Sequence, residues 1–196
     1  MGDIVYIMAG GREDKWEHGG SRYTIGVYGE ALLLRTVKQF REIDSICVIS
    51  NNLAVISILQ NNGVKIIKNV KNSVISSIYA NIRPDYDRYL VLFGDVLYSN
   101  SAVQRILYCN SDYRFFGNKF DIFALTFDNT FYDEVCSAMA EVIRLNRGKM
   151  WHLYREMQGV NLNLHERGTS GNFEYVTDKT RDFDYYVQYE EFIKRL

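Results

Sequence analysis

The sequence of 196 residues has one proline, three cysteines and no excess of either charge. Cys47, Cys109 and Cys136 lie far apart and form no CxxC pair, so we expect neither a disulfide framework nor a zinc site. The formal net charge of −1 argues against a nucleic-acid partner held by bulk electrostatics. Because the lone Pro84 and the absence of Ser/Gly linkers mark no boundary, residues 1–196 are predicted to form a single domain.

Long hydrophobic runs are also missing. The apolar run at 4–8 has about five residues, far short of the roughly 18 that a bilayer-spanning segment needs. With the acidic Asp3 in front of it, this run is not flanked like a signal peptide. We therefore expect a cytoplasmic protein with no membrane partner, whose cysteines pack as small core residues.

Apolar runs and amphipathic segments alternate along the chain, which predicts a three-layer α/β/α fold of Rossmann-like type with a mostly parallel mixed sheet. The continuous apolar run at 4–8 is typical of a strand buried on both faces in a parallel sheet. The predicted strands are 4–8, 45–50, 64–68, 89–93, 122–127 and 173–177, with a short extended piece at 181–184. The predicted helices are 30–41, 53–60, 75–82, 132–145, 149–157 and 187–196.

A glycine pair, Gly10-Gly11, directly follows the first predicted strand. Without side chains, the backbone amides of this turn can approach an anionic group closely. Three cations follow on the same loop: Arg12, Lys15 and Arg22. Amides combined with fixed positive charge suit a polyphosphate, although an ordinary strand-to-helix loop with solvated charges is the alternative. No GK[ST] follows and the GxGxxG spacing is broken, which excludes a P-loop and a dinucleotide fingerprint.

The segment 7–40, IMAGGREDKWEHGGSRYTIGVYGEALLLRTVKQF, resembles the start of nucleotidyltransferases of the glycosyltransferase-A (GT-A) type. That family includes sugar-1-phosphate and phosphocholine nucleotidylyltransferases and MobA-like proteins. Its opening pattern A-A/G-G-x-G-x-R is matched by Ala9, Gly10 and Gly11, with Lys15 at the place of the arginine. Its pattern P-K-x-L-x-x-V-x-G-x-P-L-L-x-R-T is matched over the second half of the segment, which places Arg22 on the family's lysine.

Two further segments extend the resemblance over nearly the whole chain. The run LFGDVL at 92–97 is similar to the family's L-x-G-D-v segment, whose aspartate ligates Mg²⁺, and this implies Asp95 as a metal ligand. The run DFDYYVQY at 182–189 is similar to the D-x-D-T-x-E-D-Y element, which implies Asp184 as the second ligand. Asp182 is the alternative, because extended spacing puts it on the same face as Asp184.

The resemblance implies a Mg²⁺-dependent transfer of a nucleotide from a nucleoside triphosphate to a small phosphomonoester, such as a sugar 1-phosphate or a phosphocholine-like compound. The attacking phosphate is already an anion, so catalysis depends on positioning and charge neutralisation. The implied catalytic residues are Lys15, Arg22 and Asp95. The implied nucleotide-binding residues are Ala9, Gly10, Gly11, Arg12, Asn72 and Ser76, with Ser77 beside them. A helix N-cap explains Asn72 and the serines equally well.

Two other functions fit the same residues. One is a GT-A glycosyltransferase that consumes a nucleotide sugar, with Asp182 and Asp184 as its Asp-x-Asp metal site. The other is a non-catalytic member of the fold that binds a nucleotide. Trp151, Tyr154 and Met157 recur at helical spacing, which favours packing or a homodimer contact over a ligand-lining role.

Overall fold

The computed structural model describes residues 2–10, 16, 20–60, 62–68, 70–160 and 171–195. The strands are β1 (Asp3–Met8), β2 (Gly26–Val27), β3 (Glu30–Ala31), β4 (Ser45–Ile49), β5 (Lys65–Ile67), β6 (Arg88–Phe93), β7 (Val96–Leu97), β8 (Tyr113–Gly117), β9 (Ile122–Asp128), β10 (Phe173–Tyr175) and β11 (Arg181–Asp182). The α-helices are α1 (Leu32–Gln39), α2 (Leu53–Gln60), α3 (Val74–Asn81), α4 (Asn100–Leu107), α5 (Tyr132–Arg144), α6 (Met150–Met157) and α7 (Tyr186–Ile193). Single 3-10 turns lie at Arg22–Thr24 and Asn129–Phe131.

Seven of these strands form one mixed sheet in the order β10-β8-β9-β6-β1-β4-β5. β1 lies parallel to both β4 and β6, with Ile4 opposite Ser45 and Tyr89. β4 with β5 and β8 with β10 are also parallel, whereas β9 runs antiparallel to β6 and β8. The predicted mostly parallel mixed sheet is therefore confirmed.

Helices cover both faces of the sheet, as the alternation of elements predicts. Alternate side chains of a strand point to opposite faces, so Tyr6 packs under α3, α5 and α6 while Ile7 packs under α1, α2 and α4. A smaller apolar cluster joins Trp16 to Leu32, Leu97 and Phe192, and it seats the C-terminal helix α7. None of the described helices is long and apolar enough to span a membrane.

The largest departures from the predicted elements lie in two places. Residues 98–121 contain α4 and β8, for which the sequence predicts no element. The signal for the start of α4 is the N-cap Ser99, whose side chain accepts a hydrogen bond from the Ala102 amide. The helix predicted at 30–41 begins at Leu32, because Glu30–Ala31 pairs with Gly26–Val27 in a hairpin. The turn of that hairpin places Tyr28 at φ 51° and Gly29 at φ 79°.

Candidate active site

Arg22 lies between two carboxylates that are far apart in the sequence. Its Nη1 donates a hydrogen bond to Asp184 Oδ1 at 2.9 Å, and its Nε lies 3.2 Å from Asp95 Oδ2 in an ion pair. Nη2 donates to the Tyr23 hydroxyl at 3.3 Å. The side chains of Arg22 and Asp95 are both 12% exposed, whereas that of Asp184 is 45% exposed. The two aspartates predicted to hold a metal therefore converge on one guanidinium.

Strand pairing explains how Asp95 and Asp184 meet. Asp95 follows β6 in a tight turn, where the Gly94 amide donates to Met8 O at 2.9 Å. A Cβ on Gly94 would lie 2.9 Å from Leu33 Cδ1, so the turn packs closely against α1. β7 after this turn pairs antiparallel with β11, and the Phe183 amide donates to the Asp95 carbonyl at 3.1 Å. Asp184 follows directly, which brings it beside Asp95.

Burial and neighbouring carboxylates raise the pKa values of two carboxylates in this site, Asp182 and Asp95. Burial raises the pKa of Asp182 to about 7, with further contributions from Asp121, Asp184 and Asp95. Burial also raises the pKa of Asp95, against the opposing charge of Arg22. The pKa of Arg22 is lowered by burial but raised more by Asp95, Tyr23 and Asp184, so the guanidinium stays protonated.

The donor set fits a hard divalent cation. Mg²⁺ prefers oxygen ligands and is bound by one or two carboxylates together with water and substrate phosphates. Asp95 and Asp184 supply such a pair, with Asp182 beside them. Among the described residues, no cluster of three or more acidic, histidine or cysteine side chains forms a complete protein cage. The residues present therefore suit a metal whose remaining ligands come from a bound phosphate group.

A cavity of about 610 Å³ opens on one side of Arg22. Gly10, Arg22 and Asp95 line it, and its walls come from the loop before α3 and from the turn between α5 and α6. These two segments touch: the Ile75 amide donates to Gly148 O at 3.3 Å, and a Cβ on Gly148 would lie 2.2 Å from Ser73 Cβ. The wall residues include Lys71, Asn72, Ser73, Ser77, Arg147, Lys149 and His152. This cavity carries cations and hydroxyls, which suit a polyanion with a polar base.

A second cavity of about 280 Å³ lies on the other side of the same residues. Arg22, Asp95 and Lys149 line both cavities and so mark the place where they meet. The remaining lining combines carboxylates, aromatic rings and aliphatic side chains. It includes Asp121, Asp182, Asp184, Phe120, Trp151, Ile122 and Met150. The Trp151 indole is fixed in place, since its N–H donates to Phe120 O at 2.9 Å and its ring stacks on Phe173 at 5.5 Å between centroids.

The structure brings several of the predicted site residues together. Gly10 and Asn72 line the larger cavity, Arg22 and Asp95 line both, and Asp184 lines the smaller one. Ala9 is buried at the end of β1, where its carbonyl accepts from Ser50 Oγ at 2.6 Å. Ser76 belongs to the N-terminal cap of α3, where its amide donates to Ser73 Oγ at 3.1 Å. Gly11, Arg12 and Lys15 lie outside the described residues.

Sequence reasoning missed the contributions of Lys149 and Asp121. Lys149 precedes α6 and Asp121 precedes β9, so each is a single charged residue in a polar connection. No spacing or periodicity distinguishes them from ordinary surface charges. Trp151, for which packing was favoured, lines the smaller cavity, whereas Tyr154 is 1% exposed in the core.

Comparison with known proteins identifies the fold. No protein-family model matches the chain, and no curated protein matches it in sequence. Solved structures do match: the CTP:phosphocholine cytidylyltransferase of Streptococcus pneumoniae has a TM-score of 0.70 at 13% identity, covering 100% of this chain and 99% of that one. The inositol-1-phosphate CTP transferase of T. maritima has a TM-score of 0.67 at 10% identity, covering 98% and 95%. A Mycobacterium tuberculosis protein in complex with manganese has a TM-score of 0.65 at 13% identity, covering 100% of both chains.

These matches confirm the predicted fold and the predicted resemblance to nucleotidyltransferases. At identities of 10% to 13% the likeness is one of fold. The chemistry of this chain has to be argued from its own side chains.

Proposed function

We propose that this protein is a nucleotidyltransferase that joins a nucleoside triphosphate to a small phosphomonoester and releases pyrophosphate. The observation that carries the proposal is the position of Arg22 with Asp95 and Lys149 at the junction of two cavities. A transfer reaction needs two substrates that meet at one phosphorus atom, with charge neutralised at that point. The two cavities and the charged groups between them meet that requirement.

In this proposal the triphosphate occupies the larger cavity. Gly10 approaches the phosphates, while Asn72 and Ser77 contact the base or ribose. The acceptor phosphate enters from the smaller cavity and attacks the α-phosphorus, so that the bond to the pyrophosphate group breaks and pyrophosphate leaves. Arg22 and Lys149 neutralise charge that develops on the transferring group. Mg²⁺ held by Asp95 and Asp184, or by Asp182 as the alternative, would supply further neutralisation when bound.

Gly11, Arg12 and Lys15 are assigned in this proposal to the β- and γ-phosphates. Amides and fixed cations after the first strand suit these phosphates in the same way as the walls of the larger cavity do. Ala9 would act through the backbone that leads into this loop. Ser76 would act by holding the start of α3, from which Ser77 reaches the cavity.

The lining of the smaller cavity favours a cationic acceptor over a sugar 1-phosphate. Asp121 and Asp182 line it together with the exposed ring of Phe120 and the fixed indole of Trp151. Carboxylates beside aromatic faces attract an ammonium group through charge and cation–π interactions. A phosphocholine-like compound carries such a group at one end and the attacking phosphate at the other. A neighbour of the same fold, from S. pneumoniae, is a CTP:phosphocholine cytidylyltransferase.

Pyrophosphate release tests this proposal directly. The protein is incubated with Mg²⁺, each of CTP, UTP, GTP, ATP and dTTP, and either phosphocholine or glucose 1-phosphate. We expect one triphosphate to stand out and phosphocholine to be the better acceptor. Asp95→Asn should lower turnover about 100-fold or more, whereas Asp133→Asn, an exposed carboxylate on α5, should leave it unchanged.

The other outcomes identify the alternatives. Consumption of a nucleotide sugar without pyrophosphate release would indicate a glycosyltransferase. A rise in melting temperature with a nucleotide but no turnover would indicate a non-catalytic nucleotide-binding protein.

We also propose that residues 1–196 act as one cytoplasmic domain. A homodimer stays a prediction, but the residues expected at its contact, Trp151, Tyr154 and Met157, are partly used within the molecule. Met150 and Tyr154 are buried in the core, and Trp151 lines the smaller cavity. Light scattering on the purified protein measures the oligomeric state.

A further inference from the structure

Arg22 occupies the space between the two carboxylates that the proposed function assigns to a divalent cation. Its Nη1 lies 2.9 Å from Asp184 Oδ1 and its Nε 3.2 Å from Asp95 Oδ2. We propose that Arg22, by bridging the two carboxylates, blocks the binding of a divalent cation to them until a bound triphosphate draws the guanidinium away. This inference rests on the proposed function, because it concerns the metal ligands of that reaction.

The guanidinium and a metal ion exclude each other for steric and electrostatic reasons. Asp95 and Asp184 would hold Mg²⁺ through carboxylate oxygens that the guanidinium of Arg22 contacts in this structure. The side chains of Arg22 and Asp95 are each only 12% exposed, so water screens the repulsion between two cations there poorly. Arg22 therefore competes with the metal for the same oxygen atoms.

The shape of arginine makes this bridge stable. A guanidinium presents separate N–H groups in a planar fork, so one side chain reaches two carboxylates on different segments. Here one carboxylate lies in the β6–β7 turn and the other just after β11. A lysine at 22 carries a single ammonium group on a flexible stem and cannot hold both in the same fixed geometry.

A triphosphate supplies the competing attraction. Arg22 lines the larger cavity as well as the smaller one, so its side chain is already adjacent to the proposed position of the phosphates. Arginine binds phosphate oxygens through two parallel charge-assisted hydrogen bonds, of the same strong class as its bonds to carboxylates, and a triphosphate brings several negative charges together. When Arg22 turns to the phosphates, Asp95 and Asp184 are left as an acidic pair open to the metal. Metal and triphosphate therefore bind cooperatively, and each raises the affinity for the other by the same factor.

Binding of Mn²⁺ alone tests the inference without any turnover. The free Mn²⁺ signal is followed by electron paramagnetic resonance while the nucleotide-free protein is added. We expect Arg22→Gln to bind Mn²⁺ about tenfold or more tightly than the natural protein, within the roughly 5–150-fold range of typical coupling between sites. A non-hydrolysable triphosphate should tighten Mn²⁺ binding to the natural protein but have a smaller effect on the variant.

Arg105→Gln is the matched control. Arg105 also lies near two carboxylates, those of Glu174 and Asp178, but it lines neither cavity. This variant changes the net charge by the same amount, so an equal gain in Mn²⁺ affinity would overturn the inference. Asp95→Asn in the Arg22→Gln background should abolish the gain, which locates the bound ion.

The outcomes separate this inference from the proposed function. A natural protein that binds Mn²⁺ as tightly as Arg22→Gln, without nucleotide, would overturn the inference even if pyrophosphate is released. A gain that depends on Asp95, with no pyrophosphate release from any substrate pair, would support the inference and contradict the proposed reaction. If Arg22→Gln does not fold, Arg22→Lys is used instead, because it keeps the positive charge but weakens the bridge between the two carboxylates. An affinity of Arg22→Lys for Mn²⁺ equal to that of the natural protein would then overturn the inference.

Discussion

The hydroxyl of Tyr98 extends the central sheet next to the proposed metal site, and its removal gives a sharp test of the fold. The β6–β9 pairing ends at Leu92 opposite Ala124. Beyond that point the Tyr98 hydroxyl accepts from the Phe93 amide at 3.0 Å and donates to Phe123 O at 2.6 Å. The side chain therefore takes the place of the next ladder hydrogen bond, just before the turn that carries Asp95.

Tyr98→Phe deletes this hydroxyl and removes a hydrogen-bond partner from two buried backbone groups, the Phe93 amide and the Phe123 carbonyl. Tyr98 is 1% exposed, so water does not readily replace the lost partner. A buried donor or acceptor left unsatisfied costs about 1–3 kcal/mol, and we expect a combined loss of about 3 kcal/mol in the free energy of unfolding. At roughly 2–4 °C per kcal/mol for a chain of this size, the melting temperature should fall by about 6–12 °C.

Calorimetry or urea unfolding measures this change. Tyr108→Phe is the matched control, because it deletes the same hydroxyl from a side chain that is 63% exposed. The control should stay within about 0.5 kcal/mol of the natural protein. A Tyr98→Phe protein as stable as the control would refute the reasoning, since the hydroxyl would then contribute nothing to the sheet.

Three further predictions concern the two cavities. Gly148→Val forces a side chain against Ser73, whose Cβ lies 2.2 Å from a Cβ built at 148. Because this distorts the wall of the larger cavity, the KM for the triphosphate should rise while the KM for the acceptor changes less. The reverse pattern would contradict the assignment of the larger cavity. Asp121→Asn removes a charge from the smaller cavity and should raise the KM for phosphocholine about tenfold, equivalent to about 1.4 kcal/mol, with the KM for glucose 1-phosphate much less affected. Burial, together with Arg147, Arg155 and Lys149, lowers the pKa of His152, whose Nδ1 accepts from the Lys149 amide at 3.2 Å. Below about pH 6.5 the unfolded chain therefore binds a proton at His152 more readily than the folded protein does. The urea midpoint of the natural protein should fall more between pH 7.5 and 5.5 than that of His152→Gln. Identical pH profiles of the two proteins would contradict this role.

Much of the fold could be predicted because its central strands carry local signals. Strand β1 is apolar on both faces, which is typical of a strand between two helical layers, and it does pair with parallel strands on both sides. The amphipathic pattern predicted α1, and the sequence also placed helices close to the observed α2, α3, α5, α6 and α7. In contrast, α4 and β8 were missed although they are as long as elements that were predicted. α4 has eight residues like α1, and the Ser99 cap that marks its start is a local signal.

The candidate site was predictable only where a motif marks it. Arg22, Asp95 and Asp184 were assigned through the resemblance, and the structure places them in contact. Asn72 reaches the larger cavity, whereas Ser76 is used in capping α3. Lys149 and Asp121 carry no motif, and nothing in their local sequence indicates that they face a cavity.

The sequence alone determined the alternation of the main strands and helices from β1 to β6, the two-sided burial of β1 and the charges available for a phosphate site. These properties depend on residue type and on spacing over a few positions, which any stretch of chain reveals. Tertiary structure decided that Arg22 bridges Asp95 and Asp184, and that Lys149 stands where the two cavities meet. Those contacts depend on the antiparallel pairing of β7 with β11 and on the packing of the α5–α6 turn against α3. Such pairings join segments distant in the chain, and only the folded arrangement of the sheet and its helices brings them together.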